Sequence, residues 1–84
     1  MVDPYIMSVL KGALVEIFPE YSTREIRPDE SLRDLGANSI DRAEIIILTM
    51  ERLQLKLPLL EFAQAKNIND LVNIFHHYYE ALKK

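Results

Sequence analysis

The stretch Leu35-Gly36-Ala37-Asn38-Ser39-Ile40-Asp41 decides how the rest of the chain is read. A glycine closes a loop, two polar residues follow, and a strongly apolar run begins. This is the pattern of a helix start, with Asn38 or Ser39 as N-cap and periodic helix-forming residues behind it. At such a start the first backbone N–H groups lack intrahelical acceptors, and the helix dipole is positive. Ser39 therefore sits where an anion is favoured, and a phosphate attached to its hydroxyl would be held by those donors.

The apolar run that follows predicts α-helix from Ser39 to Leu53. Ile45-Ile46-Ile47-Leu48 is rich in β-branched residues and, taken alone, fits a buried strand. The flanks decide for helix: Asn38-Ser39 caps one, and Ile40, Ala43, Ile47 and Met50 recur at helical spacing. Apolar residues wrap most of the circumference, so one side is expected in the core while the other offers apolar surface. For Ile47 and Met50 two readings stay open, partner surface or core. Asp41, Glu44 and Glu51 share one face, which is either a recognition feature or ordinary solvated charge. Arg42 and Arg52 bring the helix close to charge balance.

Upstream, Asp3-Pro4 reads as another helix start, with Asp as N-cap and Pro at the first helical position. Ile6, Val9, Leu10, Ala13, Leu14 and Ile17 continue it, and Pro19 ends it. The segment from Glu20 to Asn38 is polar, carries Pro28 and shows no period; it reads as a long ordered loop pinned by Leu32 and Leu35. Downstream, Leu57-Pro58 interrupts and Leu59 to Gln64 fits a short third helix. Asn67 caps a fourth, with Asp70 in its first turn. Ile68, Leu71, Val72, Phe75, Tyr78, Tyr79 and Leu82 form its apolar stripe, and Lys83 and Lys84 suit its C-terminal end. The expectation is an all-α fold: one domain over residues 1–84, a four-helix bundle with a long loop between helices 1 and 2 and a short third helix.

Composition narrows the chemistry. With 84 residues and no Cys, disulfides, Cys–zinc sites and a thiol nucleophile are excluded, so any thiol must come from an attached group. A net charge of -3 without a basic block argues against nucleic acid. No segment has the length and apolarity of a membrane span, and the N-terminus lacks a signal-peptide pattern. A free-standing, monomeric cytoplasmic protein is expected. Adjacent residues diverge around a helix, so His76-His77 makes a poor metal pair, and no metal site is assigned. Tyr78 and Tyr79 are read as packing, and Phe62, Leu59 and Leu60 as core fillers before lining of an acyl groove. Asp41 and Glu44 have no recognisable catalytic partner, so no catalytic residue is assigned and the chain does not read as an enzyme.

A Ser at a helix start needs no chemistry by itself. Here, however, Ser31-Leu32-Arg33-Asp34-Leu35-Gly36 precedes it, and Leu57-Pro58 and Asn67-x-x-Asp70-Leu71-Val72 follow at matching places. With these, the chain resembles acyl carrier proteins, in which the Ser of Gly-x-x-Ser-Leu/Ile receives 4′-phosphopantetheine from coenzyme A. The resemblance implies the acyl-carrier type of bundle, with Ser39 as the covalent attachment point and a phosphopantetheinyl transferase as partner. It also implies recognition through Asn38, Ile40, Asp41, Arg42, Ala43, Glu44, Ile47, Met50 and Glu51. A thioester on such an arm is activated and kept at high effective concentration near each partner enzyme. One departure stands out. The family usually has Asp before the Ser, where it helps bind the magnesium used in arm transfer. Asn38 still offers a carbonyl oxygen but brings no charge to a hard cation. Modification then calls for a tolerant transferase, or for a larger contribution from Asp41.

Gly36 to Ile46 and Phe62-Ala63-x-Ala65-Lys66-Asn67-Ile68 are similar to a narrower group, the discrete carriers encoded with polyketide β-branching enzymes. That resemblance implies delivery of an acetyl unit, loaded as acetyl or malonyl, to a synthase similar to hydroxymethylglutaryl-CoA (HMG-CoA) synthase. An acyl-loading transferase or a decarboxylating ketosynthase would supply the cargo. The receiving carriers of that pathway tend to have a Trp in the second helix, and this chain has none. The competing expectations are a general fatty-acid or polyketide carrier, and a helical interaction module that is never modified.

Overall fold

The computed structural model describes residues 2–83. Three α-helices carry the fold: α1 (Pro4–Ile17), α2 (Ser39–Leu53) and α3 (Ile68–Leu82). Two short 3₁₀ helices, Pro19–Thr23 and Leu59–Phe62, sit in the connections. There is no strand among the described residues, so the all-α class holds. The helical placement expected of Lys84 lies outside the described residues.

Local chemistry sets the helix boundaries. Asp3 caps α1, its carboxylate accepting from the Tyr5 and Ile6 amides at 2.9 and 3.2 Å. Pro4 sits at the first helical position, where a missing N–H is no loss. Asn67 caps α3 by accepting from the Asp70 amide at 2.8 Å. At the far end of α2, Gln54 turns left-handed (φ 59°), and the Leu55 amide reaches back to the Met50 carbonyl at 2.8 Å.

Two connections differ from expectation. The loop from Glu20 to Asn38 is wound at its start into the 3₁₀ helix, which Pro19 opens at N1 and the Tyr21 amide supports by donating to the Phe18 carbonyl. The short third helix expected over Leu59 to Gln64 is only a 3₁₀ turn, Leu59–Phe62, so the structure has three α-helices. Pro58 precedes the turn and supplies no N–H. The bonds that form are of the i to i+3 kind, Glu61 to Pro58 and Ala63 to Leu60, and so short a run does not nucleate an α-helix.

The core joins one face from each helix to the loop. Ile6, Leu10, Ala13 and Leu14 of α1 are buried against Ile45, Ile46, Met50 and Leu53 of α2 and Ile68, Leu71, Val72 and Phe75 of α3. Thr49 is fully buried, and its hydroxyl is satisfied by the Ile45 carbonyl at 2.8 Å. Leu32 and Leu35 pin the loop as expected, and Ile26 and Ala37 join them. Phe62 packs on Phe75 with ring centres 4.8 Å apart, whereas Leu59 and Leu60 stay exposed. Tyr78 and Tyr79 are half-buried against the core, and the Tyr78 hydroxyl donates to Glu61, tying α3 to the 3₁₀ turn.

Polar links fix the helices to one another. Arg52 of α2 pairs with Glu16 of α1 at 2.6 Å, its guanidinium passing close over Gly12. Asp3, while capping α1, also meets His76 Nδ1 of α3 at 2.7 Å. Burial pushes the Asp3 carboxyl up, but the His76 contact and the Ile6 and Tyr5 amides outweigh it and hold the group below its ordinary value.

A lowered folded-state pKa stabilises the fold above the unfolded value, and that stability is lost as pH falls through the folded value. Asn also caps helices, so Asp3→Asn isolates the charge. In urea unfolding the variant should be less stable than the parent at pH 7, the gap closing as pH drops below about 3.9. Phe75→Ala, which empties a fully buried ring site, should cost about 3–5 kcal/mol in the same assay.

Candidate functional site

The start of α2 is built by four loop contacts and a reciprocal cap. Ser31 to Ala37 curl into a tight turn, the Gly36 amide donating to Arg33 and the Ala37 amide to Leu32, both at 3.0 Å. Gly36 has φ 100°, a left-handed conformation that a side chain would strain. The Tyr21 hydroxyl donates to the Leu35 carbonyl at 2.6 Å, and Arg42 Nη1 donates to the Ala37 carbonyl at 3.0 Å. The chain leaves this clamp at Asn38. Asn38 Oδ1 accepts from the Asp41 amide at 2.8 Å, and Asp41 Oδ2 accepts from the Asn38 amide at 3.3 Å. That is a capping box.

The box makes Asn38 the N-cap and Ser39 the first helical residue, exposed to solvent. The Asp41 amide is taken by the Asn38 side chain and the Arg42 amide by the Asn38 carbonyl. Among the described residues the amides of Ser39 and Ile40 have no acceptor. The other helices close the equivalent positions. In α1 the first residue is Pro4, and Asp3 takes the next two amides. In α3 the Ile68 and Asn69 amides donate to the carbonyls of Glu30 and Pro28, both at 2.8 Å. The Glu30 side chain holds that part of the loop in place. It pairs with Arg24 and accepts from the Arg27 amide at 2.9 Å, contacts that keep its carboxyl below the usual range. Among the described residues, only at Ser39 do an exposed hydroxyl, two open N–H donors and the positive end of a helix dipole coincide.

A groove of about 500 Å³ runs from this point along the outer face of α2, lined by Ser39, Ile40, Ala43, Glu44, Ile47, Leu48 and Glu51. Ile40 is 74% exposed and Ile47 42% exposed. Of the residues expected to meet a partner, Ile40, Ala43, Glu44, Ile47 and Glu51 therefore share one surface with Ser39. Asn38 and Asp41 flank its start but are engaged in the cap. Arg42 is half-buried and clamps Ala37, so its guanidinium already has a structural task.

Met50 is a correction. It is 7% exposed and belongs to the core, so it leaves the partner face. Each helical residue turns the chain by about 100°, so Glu51, not Met50, comes back over Ile40 and Ile47. Leu48, missed in the sequence, lies on the groove for the same reason. The signal was present, since 40, 44, 48 and 51 follow the same helical stripe as 43 and 47. Phe62 lines a different cavity, together with Ser31 to Asp34 and Leu71, while Leu59 and Leu60 line neither. His76 serves as the partner of Asp3, and no cluster of metal-ligating side chains occurs among the described residues.

The model of the family described as "Phosphopantetheine attachment site" matches residues 8–75. The chain belongs to the phosphopantetheine attachment family. A curated relative, the polyketide biosynthesis acyl-carrier-protein AcpK of Bacillus subtilis (strain 168), is 39% identical over 71 residues, spanning 84% of this chain and 87% of the relative. Among solved structures, a chain from the crystal structure of the curacin biosynthetic pathway HMG synthase in complex with acetyl donor-ACP is similar. It superposes with a TM-score of 0.81 at 40% identity, covering 89% of this chain and 96% of that one. As a phosphopantetheine attachment protein the chain is a carrier and not a catalyst, and the group its family carries is 4′-phosphopantetheine.

The residues at the start of α2 fit that group. A phosphodiester on the exposed Ser39 hydroxyl would meet two unspent N–H donors and a favourable dipole, with no carboxylate directly before it in sequence. Because the cap is Asn38, Asn38→Ala should cost about 0.5–2 kcal/mol in urea unfolding, whereas Ser39→Ala should cost less than about 0.5 kcal/mol.

Proposed function

We propose that Ser39 is the residue that carries the 4′-phosphopantetheine arm. We propose further that the chain is the acetyl-donor carrier for an HMG-CoA-synthase-like enzyme in polyketide β-branching. The observation that carries this reading is the exposed Ser39 hydroxyl beside the open amides of Ser39 and Ile40, at one end of an apolar groove. When bound, the arm supplies the thiol that this Cys-free chain lacks and holds the acyl group as a thioester. The chain's own residues do three things: Ser39 offers the hydroxyl, the capping box fixes its direction, and the groove presents a surface to the enzyme.

The donor role draws support from the two relatives, one named for polyketide biosynthesis and the other found in a complex with an HMG synthase. The groove supports a partner chosen mainly by shape and apolar contact. Ile40, Ala43, Ile47 and Leu48 line it, and only Glu44 and Glu51 add charge. The carrier is read as a single cytoplasmic domain acting as a monomer, and no helix among the described residues is long and apolar enough to cross a membrane. Loading falls to a phosphopantetheinyl transferase for the arm, then to an acyl-loading transferase or decarboxylating ketosynthase for the cargo. Since Asn38 stands before the Ser and the Asp41 carboxylate already accepts from the Asn38 amide, the transferase must tolerate a neutral residue there.

Incubation with coenzyme A, magnesium and a broad-range phosphopantetheinyl transferase, followed by intact mass measurement, should add one phosphopantetheinyl group, and Ser39→Ala should add none. A chain that keeps its unmodified mass with several transferases would be an interaction module instead. In the acetyl-loaded form, Ile47→Asp should slow transfer to an HMG-CoA-synthase-like enzyme by about tenfold or more while the fold stays intact. Efficient transfer to an ordinary ketosynthase, with none to the HMG-CoA-synthase-like enzyme, would mark a general carrier.

A further inference from the structure

The Tyr21 hydroxyl spans 14 positions of sequence to reach the Leu35 carbonyl. That carbonyl belongs to the peptide unit that joins Leu35 to Gly36. The unit is held at both ends, its oxygen by Tyr21 at 2.6 Å and its N–H by the Arg33 carbonyl at 3.0 Å. Among the described residues no backbone amide donates to the Leu35 carbonyl. The unit also stands directly before Gly36, at φ 100°, and glycine is free to take φ of either sign. A peptide in that place turns over when ψ of the first residue and φ of the second rotate together, the change that separates type I from type II turns. Glycine resists this rotation least, so the two hydrogen bonds are what keep the turn in one state.

The tyrosine is itself firmly seated. Its ring packs edge-on against Phe18, centres 6.2 Å apart, and lies under the Arg24 guanidinium at 5.5 Å. Arg24 in turn pairs with Glu30, so the first half of the loop is rigid where the hydroxyl leaves it. This packing asks only for the ring. The hydroxyl serves the Leu35 carbonyl.

Resting on the reading of Ser39 as the tether point, we propose that Tyr21 is a positioning residue for arm attachment. Its hydroxyl locks the Leu35–Gly36 peptide, and the lock fixes the direction in which Ala37 and Asn38 lead into α2. Ser39 follows Gly36 by three residues, so its hydroxyl is presented in one direction only while the turn is locked. Tyr21 bonds neither Ser39 nor the amides beside it; it acts through the turn. Without the hydroxyl the flipped turn gains about three- to tenfold in population, the worth of one ordinary hydrogen bond. A transferase must then select the locked form from a mixture. That weakens its apparent affinity for the carrier and leaves the chemistry of the selected form unchanged.

The test uses Tyr21→Phe, which keeps the ring, in two measurements. On the unmodified protein, the backbone amides of residues 36–38 should show exchange broadening that the parent lacks, or shift more than those of Phe18 and Arg24 beside the ring. In arm transfer from coenzyme A, KM for the carrier should rise about twofold or more at an unchanged kcat, with each of two transferases. Val9→Ala, at a half-buried α1 residue, is the control for lowered stability and should leave KM where it is. Amides of residues 36–38 that match the parent overturn the proposal, as does a KM that stays constant or a kcat that falls instead. An equal rise in Val9→Ala marks a merely structural role, and a rise with one transferase alone marks a direct contact; either overturns it too. If Ser39 takes no arm, the tether reading fails by itself, and the amide measurement alone decides whether Tyr21 locks the turn.

Discussion

Asn38 and Asp41 hold each other's backbone amides, and this reciprocal bond decides where α2 begins. The rest of the site follows from that point. One residue later, Ser39 takes the first helical position with its side chain in solvent and its own amide unspent. The clamp upstream keeps the start from sliding. Tyr21 reaches back to Leu35, Gly36 accepts the left-handed turn, and Arg42 secures Ala37 from the helix side. Under the attachment proposed at Ser39, the neutral cap also matters. An Asp at position 38 would place a second negative charge next to a phosphodiester, whereas Asn38 gives the same hydrogen bond without it.

Below that start, α2 divides its labour between two faces. Ile45, Ile46, Thr49, Met50 and Leu53 anchor it in the core, and the Arg52–Glu16 pair ties its last turn to α1. The opposite face keeps Ile40 and Ile47 in solvent, an exposure that folding alone does not require. A well-anchored helix with an apolar outer stripe is a rigid platform, so the arm proposed for its first residue and a surface along its length keep a constant relation. In a carrier that meets several enzymes in turn, this constancy lets one surface guide one tether.

Much of this was legible in the sequence because it depends on neighbours in the chain. Asp3, Asn38 and Asn67 act on amides two or three residues away, so the three α-helix starts read directly from side-chain chemistry. Leu32 and Leu35 stood out as apolar residues in a polar loop, while Ile26, equally buried, was not singled out. The short third helix was over-read, because the pattern of Leu59 to Gln64 does not reveal that Pro58 and so few residues leave only a 3₁₀ turn. The apolar stripe on α2 was placed by steps of three and four residues ending at Met50, which the turn of the helix carries into the core, while Leu48 joins the expected Glu51 on the groove. What depends on distant partners left no local trace: His76 with Asp3, Tyr21 with Leu35, Arg52 with Glu16. The openness of the Ser39 and Ile40 amides belongs to this class too. At α3 the matching donors are closed by Pro28 and Glu30, a difference set by where the loop passes and not by the cap residues.

The central claim is that the arm sits on Ser39 and that the free amides beside it receive the phosphodiester. The most direct measurement is a residue-by-residue comparison of amide proton and nitrogen shifts between the unmodified and arm-bearing protein. The account predicts large changes at Ser39 and Ile40, the proton resonances moving to lower field as they gain an anionic acceptor, with the Asp41 amide little changed because Asn38 already holds it. An arm found on another residue, or a modified Ser39 whose own amide and that of Ile40 stay where they were, would contradict it.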